Sequence, residues 1–243
     1  MPILNVRTDL FRLPDDKGFI LTHAVVPAVF LLAFTLLAQF SLFDLWVGDI
    51  FFDVQSKHWL FAESWWANKF IHTGGRNLIA LVFLSAVIVW LLSWTRRWHS
   101  IAKYRYSALY IALVILISTS LVGLGKQLTN VDCPWSLERY SGDLPYVHLF
   151  SDKPDNLPRG DCFPGGHSSA GFSMFAWYFV LRDRHRRLAR LAFFGAALLG
   201  SAYALVQWGR GAHFPSHDIW SATIAWYVAL AGYGLLRRRR QAG

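Results

Sequence analysis

Gly160-Asp161-Cys162-Phe163-Pro164-Gly165-Gly166-His167-Ser168-Ser169-Ala170-Gly171-Phe172 joins a long polar connection to an apolar run. Pro164, Gly165 and Gly166 interrupt regular structure, and His167, Ser168 and Ser169 then open a helical pattern. A helix start of this kind presents unpaired backbone N–H groups, a favourable place for an anion. A histidine at such a spot titrates near neutral pH. Taken alone, the stretch reads equally well as an N-capped helix after a Gly-Pro turn. Its surroundings decide between the two.

Outward from it, the chain is built of apolar runs. Of its 243 residues 54% are hydrophobic, with 12 Trp and 19 Phe. Several runs approach the roughly 17–25 residues that a bilayer core requires. The spacing predicts spans at 20–42, 78–94, 108–124, 167–181, 191–207 and 219–236. The expected fold is therefore an all-α, polytopic membrane protein, a six-span helix bundle forming one domain over 1–243. The first run is too long for a cleavable signal. No internal repeat and no low-complexity segment interrupts the pattern. Residues 1–19 precede the first span, and Leu4, Val6, Leu10 and Leu13 could lie on a membrane surface or in a disordered tail. Residues 43–76 hold Trp46, Trp59, Trp65 and Trp66 and are too polar to span; one or two interfacial helices are expected there.

The net charge of +9 does not indicate nucleic acid, because the basic residues cluster at the ends of apolar runs. The N-terminal tail, the loops after the second and fourth spans, and the C-terminus carry 3, 4, 5 and 4 Lys/Arg, sixteen of the 24. The three connections on the other side carry 3, 4 and 1. Positive residues stay in the cytoplasm. Both termini are thus expected in the cytoplasm, and the Gly160 stretch outside, on the periplasmic side of a bacterial inner membrane.

Three polar clusters then share the outer face. Lys126, Cys133-Pro134-Trp135 and Arg139 follow the third span; Pro164 to Ser169 open the fourth; Arg210 to Asp218 precede the sixth. Ionisable residues at the mouths of spans mark function by default. Lys126, Arg139 and Arg210 suit a phosphate, which Arg can bind bidentately. Gly166 and the N–H groups near Ser168 would cradle its oxygens. One histidine would attack phosphorus and another would protonate the leaving oxygen. A carboxylate beside the attacking ring would fix its tautomer, and Asp218 is the expected partner over His217. His213 and His217 also have metal-pair spacing, but Pro215 between them argues against a regular helix. No metal and no cofactor is expected.

These residues resemble the type 2 phosphatidic acid phosphatases, the PAP2 superfamily of membrane lipid phosphatases. That pattern runs K-x6-R-P, then P-S-G-H, then S-R-x5-H-x3-D. Here stand Lys126 and Cys133-Pro134, then Pro164-Gly165-Gly166-His167, then a third motif ending at His213. The likeness covers 108–236, and the first hundred residues only by topology. It implies that Lys126 and Gly166 bind phosphate, that His167 is the general acid, and that His213 forms a phosphohistidine without metal. The chain departs from the pattern where Cys133 and Gln207 replace Arg, Gly165 replaces Ser, and His217 replaces Asp, with Asp218 one residue later. Arg139 and Arg210 are the expected replacements for the lost charge. The resemblance implies a lipid phosphate or pyrophosphate substrate, such as undecaprenyl pyrophosphate, phosphatidylglycerol phosphate, phosphatidic acid or lipid A. Phosphotransfer to a second lipid and non-catalytic binding or transport of a lipid phosphate are the alternatives.

Cys133 and Cys162 are the only cysteines. Both fall on the expected outer side, where oxidising conditions permit a bridge. A disulfide would tie the Lys126 end of the long connection to the His167 turn; two separately packed thiols are the alternative.

The charge asymmetry predicts a reporter result. A reporter active only in the periplasm should work when fused after Ser151 and fail when fused after Arg186. The reverse pattern would place the candidate site in the cytosol.

Overall fold

The computed structural model describes residues 17–241. The amphipathic reading of Leu4 to Leu13 falls outside them. Helix α1 (Lys17–Phe40) contains a π-helical turn at Leu21–Val25. Next come α2 (Phe43–Phe51), the short strands β1 (Phe52–Asp53) and β2 (His58–Trp59), and a π-helical stretch Trp66–Gly74 that runs into α3 (Gly75–Leu92). The strands pair antiparallel, with Phe52 opposite Trp59. A 3₁₀ segment Arg96–Tyr104 leads into α4 (Arg105–Thr129). After the long connection come α5 (Gly166–Phe172), α6 (Phe175–Leu181), α7 (Arg186–Gly209) and α8 (Pro215–Gln241).

The all-α membrane expectation is met. Among the described residues, five helical runs are long and apolar enough to cross a bilayer: Lys17–Phe40, Gly75–Leu92, Arg96–Ser136, Arg186–Gly209 and Pro215–Arg237. The expected fourth span is different. It is two short helices, α5 and α6, broken at Ser173 and Met174, so the count of six is not reached as continuous helices. The break has a local cause. Ser173 Oγ donates back to the Ala170 carbonyl at 2.6 Å, and the N–H groups of Met174, Ala176 and Trp177 bond three residues back instead of four. Both effects tighten and bend a helix.

Lipid tails are as apolar as leucine, so burial alone does not hold such helices together, and close packing of small residues does. α5 and α6 lie on α7, α4 lies on α8, and α3 lies on α4. A Cβ on Gly171 of α5 would come within 2.7 Å of Gly200 Cα on α7, while the Phe172 ring fills the space beside Gly200. The centre is aromatic. Trp226 meets Phe175 edge-on with centroids 5.3 Å apart and donates its Nε1–H to the His23 carbonyl at 2.7 Å. Tyr110 of α4 donates to the Ala229 carbonyl of α8 at 2.7 Å. Large apolar side chains such as Phe30, Leu32, Phe194 and Leu198 remain exposed, as a lipid-facing surface requires.

Residues 43–76 do more than lie at an interface. The helix and the hairpin supply Leu45, Phe52 and Trp59 to a second core, which Leu137, Tyr140 and Phe214 from the later connections complete. Asp44 of α2 is almost fully buried. It accepts hydrogen bonds from Ser216 N at 3.1 Å and Ser216 Oγ at 2.5 Å, at the first turn of α8. A carboxylate there satisfies an orphan N–H and complements the helix dipole. Burial raises the Asp44 pKa from 3.8 to about 6, against the Ser216 hydrogen bonds, which lower it.

Asp44→Ala should destabilise the fold by about 1–3 kcal/mol, because buried donors lose their acceptor; Asp44→Asn, which keeps one, should cost less. The raised pKa also sets a sign. The folded chain binds this proton more tightly than the unfolded chain, so stability should rise as pH falls from about 6 toward 3.8 and drop as pH rises through about 6. Thermal unfolding at pH 7 and pH 5 should show that increment in the wild type and lose it in Asp44→Asn. Parallel pH dependences would refute the assignment.

Candidate active site

The long connection is closed at its base. α4 ends on Asn130, whose left-handed φ of 51° turns the chain away from the helix axis. From there, Asn130 Oδ1 accepts from Gly160 N at 2.9 Å, Val131 O accepts from Cys162 N at 3.0 Å, and Thr129 Oγ1 donates to Phe163 O at 2.6 Å. Cys133 and Cys162 are joined by a disulfide, with Cα atoms 5.1 Å apart and a separation of 29 residues. Closing a loop of that length adds roughly 3–4 kcal/mol in the chain-entropy account. The expected bridge is present, and it replaces the alternative of separate thiols.

The Pro164-Gly165-Gly166 turn is then fixed to α8. Gly165 N donates to the His217 carbonyl at 3.0 Å, and Ser221 Oγ donates to the Gly165 carbonyl at 2.7 Å. Asp218 closes the clamp: its carboxylate accepts from Ser168 Oγ at 2.5 Å and from Trp208 Nε1 at 2.6 Å. A side chain on Gly165 would run into Asp218 Oδ1. Glycine stands at 165 because the carboxylate occupies the space of a serine side chain.

Around this clamp opens a cavity of about 480 Å³, lined by Arg76, Lys126, Gly166, His167, Gln207, Arg210 and His213, with Trp135, Asp161, Ala212 and the two cysteines. Lys126 donates to the Asp161 carbonyl at 2.9 Å, and a Cβ on Gly166 would lie 3.2 Å from Lys126 Cε. His213 is buried, and its Nδ1 has no hydrogen-bond partner among the described residues. Burial first, then the neighbouring His217 and Lys126, push its pKa well below 6.5, so the ring is neutral at pH 7. The His213 and His217 ring centroids are 5.7 Å apart.

The sequence expectations divide here. Lys126, Gly166, His167, Arg210 and His213 come together as expected. Arg139 does not line the cavity: its guanidinium is held bidentately by Asp49, at 2.8 and 2.7 Å. Both partners are about half exposed, so the pair adds little stability. Ser168 is fully buried, and its hydroxyl serves Asp218 and the Gly165 carbonyl at 3.2 Å. Asp218 does not contact His213, because Ser168 and Trp208 take its carboxylate. His217 is also buried, with an unpartnered Nδ1 among the described residues.

Two residues that sequence reasoning missed face the cavity. Arg76 stands at the start of α3, and in the sequence it looked like the last basic residue of an interfacial segment. Gln207 stands where the phosphatase pattern has Arg. Its Oε1 accepts from Arg210 Nη1 at 3.2 Å, which fixes the amide orientation, and its Nε2 is buried without a partner among the described residues. A pairing of Gln207 with Arg three residues on was the only signal available.

A helical membrane protein that gathers two histidines and three cations at one end of its bundle defines the class. Its family is specific: the PAP2 superfamily model matches residues 107–241, more than half the chain, and the protein belongs to that superfamily. No curated protein and no solved structure matches it. Membership supports a phosphatase-type activity in a membrane protein, with lipid or phosphate substrates.

Gly165→Ser should cost about 1–3 kcal/mol through overpacking against Asp218. Asp218→Ala in the same chain should recover part of that loss. Thermal unfolding of both single variants and the double variant gives the coupling; additive losses would show that the two positions do not share space.

Proposed function

We propose that this protein is a lipid phosphatase that removes a terminal phosphate from a lipid phosphate or lipid pyrophosphate at the outer leaflet of a bacterial inner membrane. One observation carries the reading: a neutral, buried His213 lines the same cavity as His167, Lys126, Arg76 and Arg210. A nucleophilic imidazole must be unprotonated, and its surroundings keep it so. Three cations offset the charge of a phosphoryl group passing to it.

In the proposed sequence, Lys126, Arg76, Arg210 and the free Gln207 Nε2–H hold the phosphate oxygens. The bare Gly166 backbone leaves them room beside Lys126. An imidazole nitrogen of His213 attacks phosphorus as the bond to the lipid oxygen breaks, and His167 gives that oxygen its proton. A water then attacks the phosphohistidine. His167 takes the proton of that water, the P–N bond breaks, and inorganic phosphate leaves with His213 regenerated. Water is the acceptor in this reading. Asp218 acts at a distance, holding the Ser168 end of α5 against α8 so that His167 faces His213.

His213→Ala should lower kcat by several orders of magnitude while leaving lipid binding intact. Gln207→Ala and Arg76→Ala should each lower kcat/KM by about 10–100-fold, the loss of one or two hydrogen bonds to a charged group. Phosphate release from a panel of lipid phosphates in detergent, with chelator present, measures all three. Unchanged turnover in His213→Ala would overturn the mechanism, and labelled phosphate appearing on an acceptor lipid would replace hydrolysis by transfer.

A further inference from the structure

At the opposite end of the bundle from the candidate active site lies a second cavity of about 600 Å³. It opens between α3 and α6 with α4 as its floor. The ends of α3 and α4 that carry Arg76 and Lys126 face the active site; Val89 and Lys103 to Ser107 lie at their other ends. Its walls are apolar, and small side chains make its depth: Ala86 of α3 and Ala108 of α4 are buried, with Ser85 and Ser107 beside them. A volume of this size is in the range of small-molecule sites, roughly 300–1,000 Å³. One end is cationic. Lys103, Arg184 and His185 border it, no carboxylate is among its lining residues, and the Lys103 ammonium rests 5.0 Å from the Tyr104 ring centroid. No ion pair formed by Lys103 or Arg184 neutralises that end among the described residues.

We infer that this groove holds one anionic phospholipid, an acyl chain between α3 and α6 and the headgroup phosphate on Lys103 and Arg184. The apolar walls do not choose the lipid, since a chain gains little by leaving other chains. The charged rim does, as basic pockets between membrane helices select anionic headgroups. The groove lies at the far end of the bundle, and its occupancy is independent of the phosphatase reading.

Native mass spectrometry of the full chain, with phosphatidylglycerol and phosphatidylcholine of equal chain length, tests it. Phosphatidylglycerol is a phosphodiester and not a terminal phosphate. The wild type should retain one phosphatidylglycerol about tenfold more than phosphatidylcholine. Lys103→Glu with Arg184→Glu should abolish that preference. Ser85→Trp, at an exposed position on the groove wall, should lower retention of the lipid with the charges intact. The two changes alter separate features, so failure of one variant to fold leaves the other decisive. Lys126→Ala should leave retention unchanged. Equal retention of the two lipids, full retention in the charge-reversed variant, loss in Lys126→Ala, or a severalfold gain on deleting residues 1–16 would each overturn the inference, the last by making the chain's own N-terminus the occupant.

Discussion

The arrangement depends on the carboxylate of Asp218 lodged against Gly165. That one group receives hydrogen bonds from Ser168 on α5 and Trp208 on α7 while itself belonging to α8. Three helices that carry the candidate site are thus tied through one buried carboxyl group. Such a buried polar group is tolerated only when its oxygens are satisfied, and here both are. The backbone bonds of Gly165 to α8 run in parallel with it. The turn before His167 is therefore positioned by α8, which also follows directly on His213. The two histidines keep their relation because they share one support.

Seen from that clamp, the departures from the PAP2 pattern have physical counterparts. Glycine replaces serine where the carboxylate needs room. Glutamine replaces arginine where a guanidinium three residues later bonds to its amide and lines the same cavity. Cysteine replaces arginine where a disulfide ties the two ends of the long connection. At the glutamine and the cysteine, a neighbouring group supplies part of what the arginine would have given; at His217, where the pattern has Asp, none does, since the Asp218 carboxylate is held by Ser168 and Trp208. The arginine nearest in sequence, Arg139, is not one of these partners, since Asp49 holds it on the outer surface.

The segment before the matched region contributes as well. Asp44 from α2 satisfies the first turn of α8, and Trp59 of β2 fills the space beside Gly211, whose φ of +68° needs glycine. Phe61 N donates to the Gly209 carbonyl at 2.7 Å, and Trp135 N to the Gly211 carbonyl at 2.9 Å. The short connection that delivers His213 is held from two sides by chain far away in sequence. A buried imidazole in a rigid surround loses its charge by desolvation, and that is the property a phosphoryl acceptor needs.

By itself the sequence determined the membrane class, the helix periodicity, the family, and the histidine, lysine and glycine positions that gather at one face. Those follow from run length, charge placement and local turn chemistry, all of which are properties of neighbouring residues. It also pointed to the disulfide, because only two cysteines exist and both follow from the same charge asymmetry. Only the tertiary structure decided which charges face the cavity. Arg76 enters and Arg139 leaves because helix packing and a competing Asp49 settle a question that spacing along the chain does not address. The break at Ser173 is hidden from hydropathy, which sees one apolar run, because it rests on serine back-bonding inside the helix. Asp218 was recognised as a carboxylate near the right place, but its partners are two side chains, ten and fifty residues away, and their approach is set by how α5, α7 and α8 pack.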